Sequence, residues 1–299
     1  SLVFSAGACG DTYFDPLPGL GLWEICDFFY DLAYPISPFT FKFIQESCAR
    51  GKEAQRVIVH SVYEWEKDIV NALRQEGIPI DPIGPLLLKG YKRASPHSED
   101  DGCLEWLDKQ TNSSVIYVSF GSYAKLSVEE IHELALGLED SQQPFLLVIR
   151  PDLVSGNRIS DALPTDFLSR TKERGRVSTW VPQLDVLSHD AIGGFLSHCG
   201  WNSTLESIWN GKPLIGCPRE SEQNTNLKCL VDWNVAIPVD VGKNKVDLKK
   251  DLVTKAIHKL MYTPEGQRVR KKMLEFKEVA RCAMESGHSR SSLNKLVQD

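Results

Sequence analysis

Residues 180–223 read WVPQLDVLSHDAIGGFLSHCGWNSTLESIWNGKPLIGCPRESEQ, and they contain the most informative pattern in the chain. Its apolar run at 190–196 predicts a buried strand, and the segment 202–209 that follows predicts a helix. Where the strand passes into the helix, residues 198–206 bring together small, polar and aromatic side chains. Such a composition is more typical of a nucleotide-phosphate site than of a packed core.

Strands and helices alternate on both sides of this stretch. Further strands are expected at 114–120, 144–149, 176–178 and 212–216, and helices at 127–140, 222–233, 248–262, 268–284 and 291–297. Ser127 and Glu130 form a capping-box pattern at the start of the first of these helices. Because the strands are unbroken apolar runs, the pattern predicts an α/β fold with a parallel sheet covered on both faces. Such sheets bind ligands at the carboxyl ends of their strands, where Gly121, Ser122 and residues 198–206 fall.

The polar segment at 88–102 divides the chain. It has no apolar period and is interpreted as a linker between residues 1–87 and residues 103–299. In the first part we expect a loop at 15–21, helices at 23–34, 39–50 and 64–76, and a strand at 57–59. This part is interpreted as the remnant of a domain whose opening strand–helix units are absent, so we expect an N-terminally truncated chain. Its sheet would then have an exposed edge.

Composition excludes several classes of protein. A net charge of −6 and a pI near 5.7 argue against a general binder of nucleic acid or anionic membranes. The eight cysteines contain no C-x-x-C pair, which disfavours a zinc site or a disulfide framework and favours reduced thiols in a cytoplasmic protein. No apolar run is long enough to span a bilayer. An NAD-type dehydrogenase is disfavoured because no G-x-G-x-x-G follows a strand.

The helix start after the strand is the first candidate anion site. Gly200 allows close approach of the backbone, and Asn202 and Ser203 lie where free N–H groups and the helix dipole favour a phosphate. The alternative is an ordinary helix start without a ligand. Glu206, one turn further along the same face, could accept two ribose hydroxyls or could be a surface glutamate.

Two further features flank this helix. Trp180 follows the short strand at 176–178 and could stack on a base, although a partly buried packing role is an alternative. Glu222 and Gln223 follow the strand at 212–216 and could bind a polar, hydroxylated group. Singly these residues are weak indications of a site.

Together they resemble the signature box of plant secondary-product glycosyltransferases, the UDP-sugar-dependent family 1. The segments SSVIYVSFGS, PFLLVIRPDL, CLEWLDKQ and VIVHSVYEWE also resemble family segments, in the family's order. The resemblance implies the GT-B type of α/β fold, with a C-terminal Rossmann-like domain that binds the UDP-sugar. The N-terminal acceptor-binding domain would be partial, and the tail helices would return to it.

The resemblance also implies a role for each site residue. Trp180 would stack on uracil, Glu206 would accept the ribose hydroxyls, and His198 would serve the diphosphate through its charge. Gln223 is the residue that tends to accompany glucose. The full set implied for the UDP-sugar is Ser122, Trp180, Val181, Gln183, His198, Gly200, Trp201, Asn202, Ser203, Glu206, Glu222 and Gln223.

The implied reaction moves glucose from UDP-glucose to a hydroxyl of a small lipophilic acceptor such as a flavonoid, with inversion. Neither a metal nor a cofactor is expected, nucleic acid is not an expected partner, and the protein is expected to be a monomer. The general-base histidine and its aspartate would lie upstream of Ser1, and His60 stands where the family more often has asparagine. Two hypotheses follow. The chain is part of a glucosyltransferase, or it is a donor-binding module that has no catalytic activity and plays a regulatory role.

Overall fold

The computed structural model describes residues 42, 43, 46, 49–87, 102–122, 126–150, 159–240 and 248–298. The linker expected at 88–102 lies outside the described residues except for Gly102, as do the loop at 15–21, the helix at 23–34 and most of the helix at 39–50. The chain divides into a smaller unit, Ser1–Lys89 with Glu275–Asp299, and a larger unit, Gly90–Leu274.

The described elements run in the following order: β1 (Val57–Val59), α1 (Tyr63–Gln75), β2 (Ile80–Pro82), α2 (Cys103–Leu107), β3 (Val115–Ser119), α3 (Val128–Asp140), β4 (Phe145–Val148), α4 (Ile159–Ala162), α5 (Phe167–Thr171), β5 (Gly175–Ser178), α6 (Gln183–Ser188), β6 (Ile192–Ser197), α7 (Trp201–Asn210), β7 (Leu214–Gly216), α8 (Gln223–Asp232), β8 (Ala236–Pro238), α9 (Lys250–Tyr262), α10 (Pro264–Glu285) and α11 (His288–Gln298).

In the smaller unit, β1 and β2 pair in parallel, with Val57 opposite Ile80. Trp65 of α1 stacks on Phe276 of α10, with ring centroids 5.6 Å apart. The hydroxyl of Ser289, at the start of α11, donates to the Gly84 carbonyl at 2.6 Å. The first contact joins α10 to α1, and the second joins the start of α11 to the segment after β2.

The larger unit is built on a six-stranded parallel sheet with the order β5-β4-β3-β6-β7-β8. Every residue of β3 and of β6 is buried, so both faces of the central strands are covered. The core holds large side chains with almost no exposure, among them Tyr117, Phe145 and Phe195. The predicted parallel, doubly covered sheet is confirmed.

A local sequence signal correctly predicted the start of α3. Ser127 caps α3: its hydroxyl accepts from the Glu130 N–H at 3.2 Å, and a Glu130 carboxylate oxygen accepts from the Ser127 N–H at 2.9 Å. The predicted capping box is therefore confirmed. The expected tail helix at 291–297 is longer than predicted, because α11 already begins at His288.

Two strands have no counterpart among the predictions. β2 and β8 are three residues each and both end in proline, at Pro82 and Pro238. Proline interrupts an apolar strand pattern in the sequence, although a strand with a free edge tolerates it. β8 is such a strand, since it pairs with β7 alone at one end of the six-stranded sheet.

Candidate functional site

The order of the strands creates a switch point in the larger unit. Counted along this unit, the chain forms the sheet in the order 3-2-1-4-5-6, and its direction of winding reverses between β3 and β6. Ligands of doubly wound sheets bind in the crevice outside the carboxyl ends of the strands at this point. The turn after β3, with Gly121 and Ser122, and the loop after β6, with His198, both lie at these ends.

His198 lies against the glycines of both loops. A Cβ atom added to Gly121 would lie 2.7 Å from His198 Cε1, and one added to Gly200 would lie 2.4 Å from His198 Nε2. Gly121 also has a φ of +73°, a backbone conformation that glycine adopts readily. Side chains at either position would displace the imidazole, so these glycines fix where the ring lies.

Burial determines the protonation state of His198. Desolvation lowers the pKa of the imidazole from 6.5 to about 4, so the ring is neutral at pH 7. The charge role expected of His198 toward a diphosphate stays a prediction, because an anion beside the ring would raise this pKa. A neutral ring can still donate one N–H to an anion.

The turn into α7 is preorganised by Cys199. Its φ is +63°, which is uncommon for a residue other than glycine. Its N–H donates to the Ser197 hydroxyl at 3.2 Å, and its carbonyl accepts from the Asn226 side chain at 2.9 Å. These two bonds hold a conformation that otherwise costs of order 1–3 kcal/mol.

Gly200 is the N-cap of α7, and no side chain caps this helix. The first N–H groups of a helix have no partner within it, and those of Asn202 and Ser203 lie at this start, where the helix dipole favours an anion. Asn202 is exposed in this first turn, Trp201 is half-buried, and Ser203 is only 8% exposed. The predicted helix start is thus confirmed, while the binding of an anion there stays a prediction.

Gln183, Ser203 and Glu206 form a hydrogen-bonded cluster. The Gln183 side-chain amide donates to Glu206 Oε2 at 2.6 Å and to the Ser203 hydroxyl at 3.1 Å. Glu206 is 8% exposed, so the surface reading of this residue is wrong. The Gln183 carbonyl accepts from the Tyr117 hydroxyl at 3.0 Å. Gln183, expected near the ribose, is bonded at both ends of its amide to protein groups.

Trp180 lies in the segment that leads from the end of β5 to α6. Its side chain is half-buried, while Val181 is only 5% exposed. Gln183, three residues after Trp180, begins α6 and reaches α7 through the cluster described above. The predicted loop position of Trp180 is confirmed, and its stacking on a base stays a prediction.

Glu222 and Gln223 end the loop after β7, the strand next to β6. Glu222 is the half-buried N-cap residue of α8. Gln223 is 6% exposed, and its side-chain carbonyl accepts from the N–H groups of Arg219 at 2.8 Å and Glu220 at 3.1 Å. The carbonyl of Gln223 therefore orders the loop itself, in addition to any role toward a sugar.

Ser122 and His60 complete the predicted positions. Ser122 is exposed after β3, and its backbone carbonyl accepts from Arg150 Nη1 at 3.2 Å. His60, after β1, accepts the Leu86 N–H on its Nε2 at 2.7 Å, and burial lowers its pKa. That bond gives His60 a structural task in the smaller unit.

Four further residues contact residues or loops of the site, and the sequence did not predict these contacts: Tyr117, Asn226, Glu130 and Arg219. The Arg219 guanidinium pairs with the Glu130 carboxylate, and the two side chains are 18% and 15% exposed. Asn226 lies one helical turn after Gln223, a spacing that signals a shared face. No comparable signal marks Tyr117, whose partner is 66 positions away in sequence.

Among the described residues, no group of three His, Cys, Asp or Glu side chains is placed to hold a metal ion. In the same part of the chain, no helix combines the length and apolarity needed to cross a bilayer.

The larger unit is an α/β domain whose switch point, α7 start without a side-chain cap and adjacent buried polar cluster are typical of nucleotide-binding proteins. Comparison with known proteins gives the family. The chain belongs to the UDP-glucoronosyl and UDP-glucosyl transferase family, whose model matches residues 89–265.

Curated relatives are plant enzymes. A 7-deoxyloganetin glucosyltransferase of Gardenia jasminoides is 43% identical over 87% of this chain and 55% of its own length. A flavonol 3-O-glucosyltransferase of Arabidopsis thaliana is 38% identical over 92% of this chain and 61% of its own length. The chain thus spans little more than half the length of these relatives.

Solved structures have the same fold. A UDP-glucosyltransferase from Polygonum tinctorium capable of glucosylating indoxyl matches with a TM-score of 0.88 and 36% identity, over 99% of this chain and 65% of its own. Phytolacca americana UGT2, complexed with UDP-2fluoro-glucose and pterostilbene, matches with a TM-score of 0.85 and 35% identity, over 94% of this chain and 62% of its own. The predicted α/β fold of the GT-B type is confirmed.

Proposed function

We propose that this chain is the donor-binding part of a UDP-dependent glucosyltransferase that acts on a hydroxyl of a small lipophilic acceptor. The observation that carries the proposal is the His198 ring held by Gly121 and Gly200 at the uncapped start of α7. This arrangement offers backbone N–H groups and an imidazole to a diphosphate at the switch point of the sheet.

The parts of the nucleotide would be divided among three elements. The α7 start would bind the diphosphate, with the neutral His198 ring donating one N–H. The carboxylate of Glu206 would accept the ribose hydroxyls, since Gln183 holds it in place through Oε2. Trp180, half-buried in the loop after β5, would stack on uracil, and the Val181 backbone would bond the edge of the base.

Glucose is proposed as the sugar. Gln223, Glu222 and Trp201 would face it, and the relatives named above are called glucosyltransferases. Their names also include a flavonol among the acceptors, and Phytolacca americana UGT2 was solved with pterostilbene. Both are small and largely apolar molecules with hydroxyl groups, which supports the proposed acceptor class.

The proposed chemistry is a displacement at the anomeric carbon with inversion. The acceptor oxygen forms a bond to that carbon, the bond from the carbon to the diphosphate oxygen breaks, and UDP leaves. The hydroxyl proton passes to a general base, for which we propose a histidine outside this sequence, oriented by an aspartate. The positive end of the α7 dipole and the N–H of His198 would stabilise the charge that develops on the departing diphosphate, so no metal is invoked.

A donor-binding module without turnover is the second candidate for the chain by itself. It is favoured by the tasks of two histidines that follow strands, since His60 accepts the Leu86 N–H and His198 belongs to the donor site. Transfer of glucose to a phenol by this chain would rule the second candidate out. A monomeric state is a further proposal, as is a cytoplasmic location, which the buried thiols of Cys199 and Cys217, in no disulfide, support.

Calorimetric titration of the chain with UDP tests the proposed function. Trp180→Ala should weaken UDP binding by about 1–3 kcal/mol through loss of stacking, and Trp180→Phe, which keeps a ring, should weaken it less. Trp233→Ala removes another half-buried tryptophan of the larger unit and serves as the matched control. If the parent chain binds no UDP, the proposed function is wrong; if only Trp180→Ala has no effect, the stacking role is wrong.

A further inference from the structure

The loop between β7 and α8 leads to the residues proposed to recognise the sugar, and one of its residues has an unfavourable backbone conformation. Ser221, directly before Glu222, has a φ of +54°, which is unfavourable for a residue with a side chain. Such a conformation persists when surrounding contacts hold it. The contacts of this loop therefore decide where Glu222 and Gln223 lie.

Inside the loop, Gln223 and the backbone hold each other. The Gln223 carbonyl accepts from the N–H groups of Arg219 and Glu220. Because this side chain is 6% exposed, water can replace these bonds only if the loop opens. The position of the Gln223 amide is thus coupled to the backbone position of Arg219.

The Arg219 side chain ties this backbone to α3. Its Nη2 donates to Glu130 Oε1, and both side chains are mostly buried. Salt screens a largely buried ion pair less than it screens a surface pair. Removal of one partner leaves the other charge buried without a counterion.

Glu130 has a second task at the other carboxylate oxygen. Its Oε2 accepts from the Ser127 N–H and completes the capping box of α3. α3 follows the turn after β3, where Ser122 lies, and β3 and β7 are the two neighbours of β6. One carboxylate therefore joins Ser127, at the start of α3, to Arg219, in the loop after β7, and the strands before these segments flank β6, which His198 follows.

We propose that Arg219 and Glu130 are positioning residues for the donor sugar: their ion pair fixes the β7–α8 loop and with it Glu222 and Gln223. This inference rests on the proposed function, because it assigns to the loop the recognition of the sugar and leaves the nucleotide to the other elements. Neither residue is proposed to touch the reacting atoms.

Glu130→Gln separates the two tasks of Glu130. Glutamine also completes a capping box, so α3 keeps its cap while the charge opposite Arg219 is lost. Arg219→Gln removes the pair from the other side. Ser127→Ala is the matched control, because it weakens the cap and leaves the ion pair intact.

Two measurements on the chain test the proposed positioning role of the ion pair. Hydrogen exchange of the peptide 217–223 should be about tenfold faster in Glu130→Gln and in Arg219→Gln, as expected when a buried charged hydrogen bond is lost. Titration with UDP-glucose should show about fivefold weaker binding, while UDP, which lacks the sugar, should bind within about twofold of the parent. Ser127→Ala should leave both quantities unchanged.

Each other outcome has a defined meaning. Unchanged exchange in both variants overturns the positioning role. Affinity for UDP-glucose that stays within about twofold of the parent overturns it too, and so does an equal loss of affinity for UDP and UDP-glucose. A pair of variants that fail to fold would also overturn it, because a positioning role predicts an intact larger unit. A parent chain that binds neither ligand contradicts the proposed function, while the exchange measurement still tests the link between Arg219 and the loop.

Discussion

Tyr117→Phe tests how the cluster around Glu206 is held. The hydroxyl of Tyr117 donates to the Gln183 carbonyl at 3.0 Å, and burial raises the pKa of this hydroxyl above its ordinary value, which keeps it an O–H donor. The ring is 1% exposed and stacks on Phe195 with centroids 4.7 Å apart. Phenylalanine preserves the ring and its packing and removes only the oxygen and its proton.

The expected cost follows from what the variant leaves behind. Gln183 retains a buried carbonyl without its donor, a situation that costs about 1–3 kcal/mol. For a unit of this size that corresponds to a fall of roughly 2–4 °C in Tm per kcal/mol. The Gln183 amide also becomes free to rotate, so its bond to Glu206 is weakened, and Glu206 is the group proposed to bind the ribose.

The assay compares UDP with 2′-deoxy-UDP, which lacks one of the hydroxyls proposed for Glu206. In the parent we expect UDP to bind about tenfold more tightly than 2′-deoxy-UDP, which is the difference expected for one hydrogen bond to a charged group. Tyr117→Phe should reduce this ratio, mainly by weakening UDP. Tyr262→Phe is the control: Tyr262 accepts a hydrogen bond from Gln143, and loss of its hydroxyl should leave the ratio unchanged. An unaltered ratio in Tyr117→Phe would refute the link from Tyr117 through Gln183 to the ribose site.

Two other predictions concern His198 and Gln223. Because burial lowers the pKa of His198 to about 4, the unfolded chain binds a proton first as the pH falls below 6.5, and stability is lost between these values. From pH 7.5 to pH 5 this loss amounts to about 2 kcal/mol, and urea unfolding of His198→Asn should show a profile flatter by that amount. Parallel profiles of parent and variant would contradict the buried, neutral ring. Gln223→His should shift the ratio of affinities from UDP-glucose toward UDP-galactose; an unchanged ratio would exclude Gln223 as a reader of the sugar.

The fold could be predicted where local patterns were strong. The buried runs that became β3 and β6 and the capping box at Ser127 are properties of adjacent residues, so they are visible without a structure. β2 and β8 were not predictable in this way, because a three-residue strand ending in proline carries almost no periodic signal. Their place depends on the neighbouring strand that pairs with them.

The candidate site shows the same division. Trp180, His198 and Glu206 were predicted as site residues through the resemblance of the whole segment 180–223 to a family signature, because singly each is a weak indication. The lowered pKa of His198 could not be predicted, since it results from the desolvation that the assembled loops impose. The hydrogen bonds that the Gln183 side chain makes through its carbonyl and its NH₂ group could not be predicted either, because the partners lie in β3 and α7.

Residue types and spacings within short windows were enough to predict the α/β class. The family, and with it the proposed donor site in the segment 180–223, was predicted from resemblance to family 1 glycosyltransferases. Which side chains meet was visible only in the folded chain, as for Tyr117 with Gln183 and for Glu130 with Arg219 across 89 positions. Such pairs depend on the order of strands in the sheet and on shielding from water, and a local sequence pattern specifies neither.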